Sequence, residues 1–125
     1  MSAGGTTRWP VELRLKKAEK LLEVAFDDGT RFRLPAEYLR VESPSAEVQG
    51  HGPGQKTLVP GRAHVGIIGL EPVGNYAVRI TFDDLHETGI YSWAYLHQLG
   101  VEHERRWHAY LDRLAANGLS REPAR

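Results

Sequence analysis

The strongest constraint on the fold is a two-residue alternation of apolar and polar side chains that occurs in two separate blocks. In the first block, Val11, Leu13 and Leu15 alternate with Glu12, Arg14 and Lys16, and Leu22, Val24 and Phe26 resume the pattern after a break at 17–19. Successive strand residues point to opposite faces, so this spacing predicts strands with one buried face. Asp28-Gly29 is a two-residue hairpin signal, because the favoured turn needs positive φ at both central positions, and it leads into Phe32 and Leu34. The first third of the chain therefore reads as a three-stranded antiparallel meander.

The second block runs through Val65, Ile67, Ile68 and Leu70, with Gly66 and Gly69 marking a bulge or a close backbone approach. Pro72-Val73-Gly74-Asn75 supplies a turn, after which Tyr76, Val78, Ile80 and Phe82 alternate with Ala77, Arg79 and Thr81, giving a second hairpin. Between the blocks, Pro35 to Arg40 fits a single helical turn with proline at its first position. The stretch 42–64 is punctuated by Ser43-Pro44-Ser45, Gly50-His51-Gly52-Pro53-Gly54 and Pro60-Gly61. It reads as a loop longer than compact domains generally use, either functional or mobile.

After Phe82 the period changes. A helix is expected to open at Thr88-Gly89, with Ile90, Trp93, Ala94, Leu96 and His97 on one arc and Tyr91, Tyr95 and Leu99 on much of the other. Such a helix is either a central core element or one that keeps an aromatic face for a partner. Gly100 is expected to end it, and a final helix from about 102 to 117 carries Trp107, Leu111 and Leu114 on one stripe. The expected architecture is α+β: two antiparallel hairpin or meander layers, a central helix and a C-terminal helix. One domain over 9–118 is expected, with 1–8 and 119–125 as flexible tails.

Several function classes fall away on composition. Sixteen basic residues balance sixteen acidic ones, so no net field draws the chain to nucleic acid or an anionic membrane. The aromatics Tyr91, Trp93, Tyr95, Trp107 and Tyr110 are flanked by Asp83, Asp84, Glu87, Glu102 and Glu104, the opposite of a single-strand binding groove. With no cysteine, there is no disulfide, thiolate metal site or thiol nucleophile. The N-terminus lacks the apolar run of a signal peptide and no stretch is apolar enough to span a membrane, so a cytoplasmic location is the expectation. No glycine-rich phosphate loop, nucleophile elbow or His-Glu-x-x-His helix is present, and no histidine is followed two positions later by a carboxylate. The expectation is a protein that is not an enzyme.

The histidines carry the remaining chemistry. His51 lies between glycines, and His86 sits among Asp83, Asp84 and Glu87. Imidazole with carboxylate suits Fe(II), Mn(II) or Zn(II), and equally suits a structural hydrogen bond at the end of a strand. Glu104 and His108, four apart, fit a shared metal or an exposed intrahelical pair, and His97 reads as a core histidine. Two readings stay open. One is a protein-interaction surface made of the 50–54 loop and the start of the central helix, with His51, His86, Tyr91 and Tyr95 as its contacts. The other is a loosely bound iron or zinc ion on His86 and His51.

Three segments resemble one known family. They are Leu34-Pro35-Ala36-Glu37-Tyr38-Leu39-Arg40, Gly69-Leu70-Glu71-Pro72-Val73-Gly74-Asn75-Tyr76-Ala77-Val78, and 83–96 from Asp83-Asp84-Leu85-His86 to Trp93-Ala94-Tyr95-Leu96. Together they resemble the gamma-butyrobetaine hydroxylase-like N-terminal domain over roughly 11–100. In the hydroxylases of that family, the resemblance implies, this domain precedes a 2-oxoglutarate-dependent iron dioxygenase and holds a structural zinc through a Cys-x-Cys-x-x-Cys run and a histidine. Those ligand positions fall on Ser43, Ser45, Val48 and His86, so the zinc site is expected to be absent, and oxygenase activity is not expected to carry over. Related domains are attached to P-loop ATPases bearing iron–sulfur clusters. The resemblance therefore implies an accessory module for an unidentified protein partner, with an iron–sulfur carrier ATPase as the first candidate and an Fe(II)/2-oxoglutarate oxygenase as the alternative.

Overall fold

The computed structural model describes residues 9–50 and 56–123. In chain order the elements are β1 (Pro10–Lys16), β2 (Leu21–Phe26), β3 (Arg31–Pro35), α1 (Ala36–Val41), α2 (Ala46–Gln49), β4 (Ile67–Val73), β5 (Ala77–Phe82), β6 (Ile90–Ser92), α3 (Trp93–Val101) and α4 (His103–Ala116). The fold is α+β, with two three-stranded antiparallel sheets in the orders β1-β2-β3 and β4-β5-β6.

The first sheet is the meander that alternation predicts. Leu22 lies opposite both Leu15 and Leu34, which puts Leu22, Val24 and Leu34 in the core. Gly29 adopts φ 88°, and Asp28 Oδ1 accepts from Thr30 N at 3.0 Å and Thr30 Oγ1 at 2.6 Å to close the hairpin. In the second sheet the register slips between Ile67 and Gly69, so the glycine-marked bulge is present. Ile68 is the extra residue and stands 48% exposed.

The start of the central helix differs from expectation. Ile90–Ser92 is a third strand, pairing Val78 with Tyr91 and Arg79 with Ile90, and the helix begins only at Trp93. Two local forces explain the shift. The edge of β5 offers unpaired backbone groups that a β-branched and an aromatic residue suit well, and Ser92 is a good cap whose Oγ accepts from Tyr95 N at 3.1 Å. Period two then applies, sending Tyr91 into the core at 0% exposure and Ile90 outward at 37%.

Gly100 also differs. It lies inside α3, packed against the Phe32 ring so closely that a Cβ there would overlap ring carbons, and the helix runs on to Val101. The glycine serves close approach of α3 to β3. One core cluster, including Leu22, Leu34, Tyr38, Ile80, Phe82 and Leu96, joins both sheets to α3, and a smaller one of Val41, Val48, Val59, Tyr110 and Leu114 lies under α4. His97 is a core-edge histidine, edge-on to Phe26 and Phe32, with Nε2 2.9 Å from Asp28 Oδ2. Residues 119–123, read from the sequence as tail, cross the 60–64 segment: Gly61 N donates to Ser120 O and Ala63 N to Arg121 O, both at 2.9 Å, and Arg121 grips Glu37 through a 2.7 Å Nη2 bond.

Candidate functional site

The polar residues of greatest interest converge where the turn after β5 meets the segment after α1. That turn is built by Phe82 N donating to His86 O at 2.9 Å, Leu85 N donating to Phe82 O at 3.0 Å and His86 N donating to Asp84 Oδ1 at 3.1 Å. It presents the His86 ring to the Ser43-Pro44-Ser45 segment. His86 Nε2 lies 2.9 Å from Ser43 Oγ and 3.4 Å from Ser45 Oγ, and Nδ1 faces Glu47 Oε2 at 3.4 Å. A carboxylate can only accept, so Nδ1 carries the ring proton and Nε2 accepts from Ser43. Burial, followed by the nearby Arg40 guanidinium, holds the His86 pKa below its ordinary value and keeps the ring neutral. Arg40 is held in place by Asp84, whose Oδ2 lies 2.8 Å from both Arg40 Nε and Arg62 Nε.

Carboxylate, imidazole and hydroxyl stand here in the order used for acyl transfer. The chemistry is blocked by access: Ser43 is 0% exposed and His86 6%, and Gly89 packs over Ser43 Oγ and the Tyr91 ring. No substrate carbonyl reaches the hydroxyl in this arrangement, and the cluster acts as a buried hydrogen-bond joint.

The four positions that the family resemblance assigns to zinc are Ser43, Ser45, Val48 and His86. Three of them bring their side chains together, and Val48 follows on α2, its N donating to Ser45 O at 3.0 Å. The donor set does not fit a structural zinc, which needs four nitrogen, sulfur or carboxylate ligands: two are neutral hydroxyls and Val48 has no donor. Among the described residues, no group of three or more histidine and acidic side chains is placed to hold a metal ion. His51, the other predicted metal ligand, lies outside the described residues.

The tyrosines of the predicted partner surface have a different task. The last carbonyls of a helix lack intrahelical donors, and every residue of α1 is buried. Tyr91 is fully buried and its hydroxyl donates to Leu39 O, and the half-buried Tyr95 donates to Glu42 O at 2.6 Å. Tyr95 also lies beneath the Arg106 guanidinium, and burial pushes its pKa up to about 12. Of the expected partner contacts His51, His86, Tyr91 and Tyr95, Tyr91 and His86 are turned inward, where they tie α1 and the second sheet together, Tyr95 is half-buried, and His51 lies outside the described residues.

What faces water instead is apolar. Leu85 is 81% exposed, Ile68 48% and Ile90 37%. Ile68, Ile90, Glu71, Glu87 and Thr88 line a shallow hollow on the outer face of the second sheet, and Leu85 sits two residues before Glu87. Leu85 has φ 72°, a left-handed conformation that branched or bulky residues rarely adopt. The signals were present in the sequence as a leucine inside Asp83-Asp84-Leu85-His86-Glu87 and as the Ile67-Ile68 pair, which interrupts the alternation.

This fold, with its buried His86 joint, defines a small α+β domain class. The model of the family described as gamma-butyrobetaine hydroxylase-like, N-terminal, matches residues 13–97, and the chain belongs to that family. Two similar proteins have NMR solution structures. One is 44% identical, with 94% of this chain and 93% of that one covered and a TM-score of 0.82. The other is 46% identical, with 100% and 93% covered and a TM-score of 0.82. A crystal structure of a protein of unknown function of the DUF971 family from Acidithiobacillus ferrooxidans is 38% identical over 79% of this chain and 98% of that one, with a TM-score of 0.64. No curated protein matches the chain. No helix among the described residues is long and apolar enough to cross a membrane.

Proposed function

We propose that this domain is a non-catalytic interaction module that docks a protein partner on the outer face of its second sheet, with Leu85 as the protruding contact. The observation that carries the reading is Leu85 itself, held 81% exposed in a left-handed backbone conformation. That conformation costs about 1–3 kcal/mol and concentrates where a protein uses it. Ile68 and Ile90 add apolar area in the adjoining hollow, whose charged lining is Glu87 and the Glu71–Arg79 pair, 2.7 Å apart. The complementary partner surface is an apolar socket with a polar rim. The burial of His86 and Ser43 supports the non-catalytic part of the reading. The family resemblance makes an iron–sulfur carrier ATPase the first bait.

The test places a photo-crosslinking residue at position 85 and, as a control, at Arg14 on the outer face of the first sheet. A discrete adduct with one partner from position 85 and none from position 14 is the expected result, followed by at least a tenfold loss of affinity for that partner in Leu85→Gly and Ile68→Glu. Equal labelling from both positions, or unchanged affinity in both variants, overturns the reading.

A further inference from the structure

A second concavity lies on another part of the molecule, between α4 and the 56–59 segment, with a volume of about 230 Å³. Tyr110 pins its two walls together by donating its hydroxyl to Val59 O at 2.6 Å. At its floor is Glu42, only 3% exposed, whose Oε1 accepts from Lys56 Nζ and Arg106 Nη1, both at 2.7 Å. Arg106 is fixed further by Glu102, which accepts from its Nε at 2.8 Å and also meets Arg105 Nη2 at 2.7 Å. Arg113 lines the same cleft and makes no ion pair among the described residues.

The charges do not cancel. Among the described residues, Lys56, Arg105 and Arg106 share the two carboxylates Glu42 and Glu102 while Arg113 meets none, which leaves two positive charges at the cleft of a chain whose net charge is zero. Arginine forks match the planar oxygens of phosphate and carboxylate, and here one guanidinium is already immobilised before any ligand arrives. Ala109, between Arg105 and Arg113 on the same helix face, leaves room that a larger side chain would fill, and Val41, Leu58 and Val59 supply an apolar wall.

We propose that this cleft binds a small doubly charged oxyanion carried on an apolar stem, with Arg113 and Arg105 closing on the charged head and Leu58 and Val59 against the stem. The chemistry is shared by phosphate monoesters and dicarboxylates. The experiment titrates the full chain, with amide chemical shifts of 105–113 as readout, using phenyl phosphate, phenylmalonate and inorganic phosphate in separate arms. Saturable shifts with phenyl phosphate or phenylmalonate are expected, the stronger of the two naming the head group, and inorganic phosphate alone should bind about tenfold more weakly for lack of a stem. Arg113→Ala should weaken binding about tenfold, and Ala109→Leu should abolish it while leaving the thermal midpoint near that of the parent. Raising salt should weaken binding. No saturable shift with either organic anion at 10 mM, or unchanged affinity in both variants, overturns the proposal.

Discussion

The two sheets share strand number and antiparallel order, yet their outer faces are opposites. On the first, Arg14 lies opposite Glu23 and Glu23 opposite Arg33, Glu12 meets Arg14 and Arg31, and Lys16 reaches Glu19 and Glu23. Charges of alternating sign line most of that face and keep it solvated. On the second, the middle row carries one such ladder, Glu71–Arg79, and Arg79 then lies opposite Ile90, with Ile68 lifted out by the bulge and Leu85 beyond. The first face has one apolar exception, Val11, the extra residue of a bulge between Pro10 and Glu12 and 67% exposed. The second leaves apolar area that a contact would remove, which locates the difference between the halves outside the shared core.

The halves are pinned together at several joints, and breaking or refitting two of them gives the largest effects. At the first, Ser43 and Ser45 meet His86. In a tetrahedral zinc site with Zn–S of about 2.3 Å and Zn–N of about 2.0 Å, the two donor atoms stand about 3.5 Å apart, close to the 2.9 and 3.4 Å that now separate the serine oxygens from Nε2. The combined Ser43→Cys, Ser45→Cys and Val48→Cys variant should take up zinc near stoichiometry, and zinc at 100 times its Kd should stabilise it by about 2.7 kcal/mol. Elemental analysis with zinc-dependent thermal melts checks this. Absence of zinc would show that the joint is organised differently from its geometry.

The second joint is Gly100 against Phe32. Gly100→Ala should cost about 2 kcal/mol in urea melts, although alanine normally favours a helix interior by about 1 kcal/mol, because overpacking outweighs propensity here. Gly69→Ala is the contrast, since nothing lies within 4 Å of a Cβ there; its cost should be within about 0.5 kcal/mol. Equal losses at the two glycines would remove the packing argument.

The fold was largely legible in residues whose environment is local. Leu13, Leu22 and Leu34 alternate, Asp28-Gly29 turns, and Gly69 marks its bulge within a few residues, so the meander and both hairpins follow from period and turn chemistry. Ile90 and Tyr91 were not legible because their conformation is set by the open edge of β5, a dozen residues back in sequence but adjacent in space. The site was legible in part. The resemblance brought Ser43, Ser45 and His86 to one place, and the hydrogen bonds hold them there. Tyr91 and Tyr95 looked like surplus aromatics because nothing in a sequence reveals that their hydroxyls donate to Leu39 O and Glu42 O.

Sharpening the contrast between the faces brings smaller effects. Leu85→Gly removes the left-handed cost, less the entropy that glycine gains when unfolded, so the variant should be more stable by about 0.5–1 kcal/mol. A gain in stability together with lost docking would separate the two roles of that residue, while a loss of stability would mean the leucine side chain is packed in a way its exposure denies. Acid adds a second contrast. His86 and His103 both have pKa values held below the ordinary value, first of all by burial. Above a pH of about 6.5 both are neutral folded and unfolded. As pH falls below it, the unfolded chain takes up protons that the folded one refuses, so stability drops until the pH passes the folded values. Urea melts from pH 7.5 to 5 should show this decline, with a shallower slope in His86→Gln, and an unchanged slope would clear His86 of the effect.

The smallest expected effect tests the charged face itself. Glu23 accepts from Arg33 Nε at 3.1 Å and lies 3.7 Å from Lys16 Nζ, so it is the centre of the ladder on the first sheet. Exposed ion pairs are worth little, because water screens the attraction and long side chains lose freedom to form it. Glu23→Gln should therefore cost about 0.5 kcal/mol, and that difference should shrink toward zero in about 1 M salt, where the screening length is about 3 Å. A salt-insensitive loss of more than about 1.5 kcal/mol would mean that the ladder holds the sheet together and does more than keep it solvated. In that case the charged face would be a structural necessity, and the apolar face of the second sheet could no longer be set against it as the one shaped for contact.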